Sequence, residues 1–230
     1  MSHRTFAERL DELTEQLHTM SHDVETLVGR AFALGESCDE AAVQAIRDGD
    51  HAIDEAEMQI EESTIELLAL HQPMATDLRV LVTVLKINND LERIGDHAVN
   101  IAEAFGRLSR RHQRPPLPPE LDEMARVSRG MLRDSLDAFV AGDAELAREV
   151  GRRDDRVDRL HESLVRVMLT HMQEYNISAC LQVILIGRNL ERIADLATNI
   201  GEDVFYMVQG RTIRHGSRDA GESEVVEERS

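Results

Sequence analysis

Two stretches of this chain repeat one spacing of oxygen-bearing side chains about a hundred residues apart. Glu92, Asp96 and Asn100 recur at every fourth residue in the first stretch, with Glu103 closing the run; Glu191, Asp195, Asn199 and Glu202 do the same in the second. The apolar frame recurs with them, Leu91-Glu92-Arg93-Ile94-Gly95-Asp96 against Leu190-Glu191-Arg192-Ile193-Ala194-Asp195. Residues four apart share one strip of a helix, so each run lays carboxylates along about three turns. Carboxylates so placed repel by a few tenths of a kcal/mol per pair unless something positive sits among them. An all-oxygen donor set of this kind suits hard or borderline cations: magnesium, calcium, manganese or iron, with zinc where a histidine joins.

Further acids stand ready on other segments: Asp50, Asp54 and Glu57 in the first half, and Asp154, Asp158 and Glu162, with His161 adjacent, in the second. Helices in a bundle lie about 8–10 Å apart, so facing strips bring four or more oxygens around one or several cations. The candidate ligands are the strip residues themselves, Glu92, Asp96 and Asn100 with Glu103, and Glu191, Asp195 and Asn199 with Glu202, together with the acids that face them. Acidic residues on a helix face are usually only solvated. Drift after duplication scrambles such a face, whereas here Glu, Arg, Asp, Asn and the second Glu recur in register, which favours a ligand. Arg93 and Arg192 read as local ion-pair partners of these acids rather than as anion receptors.

The elements that must carry these strips are long helices. Val84, Ile87, Leu91, Ile94, Ala98, Ile101 and Phe105 alternate at three and four residues, and Val183, Ile186, Leu190, Ile193, Ala197, Ile200 and Val204 copy that seam. Ile46, Ile53, Ala56, Ile60 and Leu67 form a second stripe, matched by Val150, Val157, Leu160, Leu164 and Val167. Punctuation by Pro73, by Gly35 to Asp39 and by Ala141-Gly142-Asp143 predicts helices over 5–34, 40–70, 75–108, 120–140, 143–172 and 178–209. Four of the five prolines fall in Pro115-Pro116-Leu117-Pro118-Pro119 and separate the halves. The expected fold is all-α, two antiparallel three-helix bundles in tandem related by internal duplication: 1–110, a Pro-rich linker at 111–119, 120–210, and a disordered acidic tail from 211 to 230.

Bulk properties narrow the function. With 44 acidic against 26 basic residues, a formal net charge of -18 repels nucleic acid and anionic lipid. Cys38 and Cys180 are isolated thiols, there is no charged start with an apolar h-region, and the apolar run 177–186 is too short to cross a bilayer. These features predict a cytoplasmic protein that meets membranes only through partners. Phosphate loops, nucleotide fingerprints and nucleophile elbows are missing, so a hydrolase has no visible machinery. The enzyme alternative is a carboxylate-bridged di-iron oxidase of ferritin-like type, which needs Glu-x-x-His pairs pointing inward. Glu15-x-x-His18 is the single full match, and its partner would have to be the imperfect Asp158-x-x-His161. A metal-free scaffold bundle is the other alternative.

The duplicated Leu-Glu-Arg-Ile-(Gly/Ala)-Asp series, the helix-ending His71-Gln72-Pro73 and Asp77-Leu78-Arg79 resemble the PhoU family of phosphate-signalling regulators, over about residues 5–215. The resemblance implies a cytoplasmic adaptor, a homodimer in many members, that restrains phosphate uptake and the phosphate-starvation response. It would not be an enzyme, and would act by contacting the ATPase of a Pst-type transporter and a membrane sensor histidine kinase. It also implies multinuclear clusters of iron, zinc, magnesium or manganese on Glu/Asp-x-x-x-Asp motifs, here Glu92, Asp96, Glu191 and Asp195, backed by Asp50, Asp54, Asp154 and Asp158. Arg188 in place of Asn89 and His161 in place of Glu57 imply that the two strips need not hold the same ion.

Overall fold

The computed structural model describes residues 5–211, within which every regular element is a helix. The acidic tail expected beyond this point lies outside the described residues. α1 runs Phe6–Ala33, α2 Glu40–His71, α3 Thr76–Ser109, α4 Pro119–Ala141, α5 Ala144–Gly151, α6 Asp154–His171 and α7 Ile177–Gln209. Local chemistry sets these limits. Thr5 and Glu8 close a capping box at the head of α1, and Asp39 accepts from the Ala42 N–H at the head of α2. Left-handed Gln72 and the following Pro73 end α2, and Gly142 at φ 62° ends α4.

One expected element is divided. The single helix predicted over 143–172 is α5 and α6, interrupted at Arg152 and Arg153. Gly151 weakens the helix there, and the Arg153 N–H reaches back only three residues, to the Val150 carbonyl. Across the break, the Arg153 guanidinium is held by Asp134 of α4 at 2.5 Å.

α1, α2 and α3 form one bundle; α4, the α5–α6 pair and α7 form the other. Both seven-residue seams are buried, no member more than 2% exposed. The bundles are more than tandem: α3 and α7 make the most extensive contact between any two helices. Three side-chain links give its direction. Lys86 meets Asp203 at 2.6 Å, His97 meets Asn189 at 2.9 Å and Arg107 meets Gln182 at 3.0 Å, so the two helices run antiparallel. Because α3 and α7 are the matching helices of the repeats, the halves face each other about a local two-fold axis. The proline-rich connection is packed down as well, with Pro115 and Pro118 buried and Leu117 against the core.

Candidate metal-binding strips and their surroundings

In the first bundle, α2 and α3 bring the predicted acids together. Glu92 is only partly exposed, and its carboxyl is raised by burial first and then by Asp96, Asp54, Glu57 and Asp50. Asp50 is pushed up to about 6, mainly by burial and then by Asp54 and Asp96, with only His51 acting in the opposite direction. No arginine or lysine contributes to either shift. One Asp50 oxygen, Oδ1, is buried without a hydrogen-bond partner. It lies over the backbone of Gly95, where an added Cβ would stand 2.6 Å away. Gly95 thus makes room for a carboxylate that desolvation and like charge both disfavour.

The second bundle assembles the matching residues differently. Asp158 is raised by burial, then by Glu191, Asp195, Asp155 and Glu162, so these acids do converge. Here, however, nitrogen donors are interposed. His161 Nδ1 sits 3.0 Å from Glu191 Oε2, and Arg192 Nη1 is 3.0 Å from Asp195 Oδ2. Ala194, fully buried, occupies the place that Gly95 holds in the first repeat. The strips share a spacing but differ in pairing: exposed His51 lies 3.7 Å from Asp54 in the first, whereas His161 and Arg192 each lie 3.0 Å from an acid of the second.

Other predicted residues fall elsewhere. Asn100 is exposed one turn beyond Asp96, while Asn199 lines clefts between α3 and α7 with Asp154 and Asp195 as neighbours in one of them. Glu103 belongs to an ion-pair group instead of the strip: Arg47 at 2.9 Å and Arg107 at 3.2 Å hold its carboxyl below the usual range. Arg93 reaches Asp90 at 3.5 Å, whereas Arg192 does pair with an acid of its strip. Glu15 and His18 are both exposed, so they supply nothing to an interior di-iron core.

The donor set of the first strip fits a hard cation: several carboxylates, one orphaned buried oxygen and no competing guanidinium. As the side chains stand, no three His, Cys, Asp or Glu groups among the described residues close to metal-ligating distance. An ion there requires Asp54, Glu92 and Asp96, all at least partly exposed, to turn inward toward Asp50.

Both halves match the PhoU domain family, over residues 17–105 and 121–204. The chain belongs to the PhoU family. A Pseudomonas putida protein named phosphate-specific transport system accessory protein PhoU homolog is 38% identical over 212 residues, covering 91% of this chain and 83% of that one. The Serratia marcescens protein named phosphate-specific transport system accessory protein PhoU is 34% identical over 224 residues, with 96% and 91% covered. The crystal structure of PhoU from Pseudomonas aeruginosa superposes with a TM-score of 0.86 at 35% identity, covering 90% of this chain and all of that one. The two PhoU matches coincide with the two bundles, so the family repeat is the structural repeat.

No signal in the sequence marked Gly95, because a glycine in a helix declares neither its neighbour nor its purpose. The placement of Arg93 and Arg192 on one cleft was equally hidden, since it depends on how one half docks against the other.

Proposed function

We propose that this protein is a cytoplasmic regulatory adaptor of phosphate-specific transport, acting as a homodimer. It restrains phosphate uptake and starvation signalling by docking to the transporter's ATPase and, through a second contact, to a sensor histidine kinase. The observation that carries this reading is family membership spanning both bundles, together with relatives named as accessory proteins of the phosphate-specific transport system. No described helix is long and apolar enough to cross a membrane, which agrees with action through membrane-bound partners. Apolar surface for docking is present in matched pairs: Leu78 and Val82 on α3, and Ile177 and Leu181 on α7, are exposed at a spacing of four residues.

Within this role the first acid strip takes up magnesium, manganese or iron through Asp50, Asp54, Glu92 and Asp96. A bound cation supplies the positive charge that these carboxylates lack, and it stiffens the contact between α2 and α3. The second strip, through Asp154, Asp158, Glu191 and Asp195, binds more weakly or prefers zinc, because His161 and Arg192 already occupy its acids. Docking responds to occupancy only if the free and docked forms differ in cation affinity.

Affinity purification of the tagged protein from phosphate-replete cells tests the adaptor role, with recovery of the transporter ATPase as the expected result and its consistent absence as the refuting one. Metal analysis of the dialysed protein tests the strips. Glu92→Gln combined with Asp96→Asn should remove most of the bound cation, and Glu191→Gln with Asp195→Asn a smaller share. Unchanged metal content in both variants would withdraw the ligand assignment and leave a metal-free adaptor.

A further inference from the structure

We propose that the cleft between α3 and α7 beside the local two-fold axis binds inorganic phosphate in its hydrogen-phosphate form. The cleft has a volume of about 250 Å³, and its lining includes Arg93, Arg192, His97, Thr198, Asp195 and Asn199. Arg93 and Arg192 are matching residues of the two repeats. Antiparallel crossing of α3 and α7 is what brings them to one place, in a chain whose net charge is -18. Two guanidinium groups converging on one cleft repel each other, and an anion between them turns that repulsion into attraction.

Each arginine spends one of its N–H groups on a neighbouring acid. Arg93 Nη1 reaches Asp90 Oδ1 at 3.5 Å, and Arg192 Nη1 reaches Asp195 Oδ2 at 3.0 Å. With five N–H donors apiece, both keep forks available for a tetrahedral oxyanion. An independent feature points to a ligand in the same space. Thr198 is 2% exposed, and its hydroxyl oxygen has no hydrogen-bond partner, although it belongs to a residue lining the cleft. A buried hydroxyl without a partner is costly, and an anion oxygen accepting its O–H removes that cost.

The two acids in the lining, Asp154 and Asp195, decide which oxyanion fits. Both carry acceptor oxygens only, so an ion made entirely of acceptors is repelled there. Hydrogen phosphate takes N–H donors from the arginines and presents its own O–H to a carboxylate, whereas sulfate at neutral pH has no proton to give. The repeats also predict the stoichiometry. Val99 stands in the first repeat where Thr198 stands in the second, so the other side of the axis lacks the hydroxyl. One site per chain follows.

This inference deepens the regulatory reading, which makes phosphate the anion of interest, and the two fail separately. Calorimetric titration of the full chain in the presence of chelator, at constant ionic strength and pH 7.5, tests it with phosphate, sulfate and ATP in turn. Phosphate should bind at one per chain, with sulfate weaker by about tenfold or more. Thr198→Val, which keeps the side-chain shape, should weaken phosphate by roughly threefold to tenfold. Arg93→Gln with Arg192→Gln should abolish binding while the melting curve still shows a folded helical protein. Absence of phosphate binding, two sites per chain, ATP or sulfate bound in preference, or affinity unchanged in Thr198→Val would each overturn the proposal. Loss of phosphate binding in the arginine variant with capture of the transporter ATPase intact would leave the adaptor role standing and place the anion site apart from it.

Discussion

Asp50 shows how one side chain can be held against its own preference. Its carboxyl, at about 6, lies well above the ordinary 3.8 because burial and the neighbouring Asp54 and Asp96 disfavour its charge, with His51 alone opposing them. Between those two pH values the folded chain keeps a proton that the unfolded chain has released. Stability therefore falls as pH rises from about 4 to 6, and the whole penalty is present above 6. Asp50→Asn, measured in chelator, should stabilise the protein at pH 7.5 by about 1 kcal/mol after allowance for solvent screening, with the gain vanishing below pH 4. Equal denaturation midpoints for variant and parent at pH 7.5 would refute this. Gly95 is the complementary half of the arrangement. Gly95→Ala gains helix propensity of up to about 1 kcal/mol, yet its Cβ would stand 2.6 Å from Asp50 Oδ1 and must push that carboxylate aside. Stabilisation of the protein by manganese should shrink in Gly95→Ala and stay unchanged in Ala194→Gly, as read from melting temperatures with and without the ion. The acid spacing was legible from sequence because a four-residue period is a helix property. The difference between the strips was not, because it lies in what His161 and Arg192 touch.

At the level of elements, the helices follow from stripes and punctuation that the chain displays openly. Every seam position read from spacing in α3 and α7 is buried, and Asp39, the last residue of the break read at 35–39, caps α2. The exception is the α5–α6 break. A stripe through Val150, Val157 and Leu164 stays in phase across it, so periodicity alone predicts one helix; all three are fully buried. What divides the helix is local, namely Gly151 and the three-residue hydrogen bond at Arg153, and tertiary, namely the pull of Asp134. The start of α5 depends on Asp143, whose carboxylate accepts from both the Glu145 and Leu146 N–H groups. Asp143→Ala should cost about 1 kcal/mol in denaturant unfolding, as helix caps usually do, while Asp143→Asn should cost much less because the amide oxygen still accepts. Equal losses for both variants would mean that the charge, rather than the cap, matters.

At the scale of the whole molecule the question is whether duplication left two folding units or one. Each bundle has its own apolar stripe, which argues for two, but α3 and α7 form the largest helix pair and join the bundles along their length. Spacing along one helix cannot reveal this pairing, since a seam reports that a face is covered and not by what. Links at Lys86 with Asp203, His97 with Asn189 and Arg107 with Gln182 spread the contact over about six turns of α3, and the connection 110–118 is itself packed down through Pro115, Pro118 and Leu117. An interface of that extent makes the exposed helix faces of either half alone costly, so the chain should unfold as one unit. Leu17 on α1 and Leu164 on α6 sit in different bundles, and both are fully buried. Leu17→Ala and Leu164→Ala should each cost about 2–5 kcal/mol. Under one-unit unfolding, either substitution shifts a single transition to lower denaturant, with no second phase. Independent bundles predict instead that each variant splits the curve into two steps, only one of them displaced, and that Leu17→Ala and Leu164→Ala move opposite steps. Calorimetry adds a second criterion, because one cooperative unit requires the van't Hoff and calorimetric enthalpies to agree. A single unit also bears on the proposed regulation: a cation between α2 and α3, or an anion beside α7, would bias a structure common to both halves, and a partner docked on either exposed apolar pair, Leu78 with Val82 or Ile177 with Leu181, would sense both ligands.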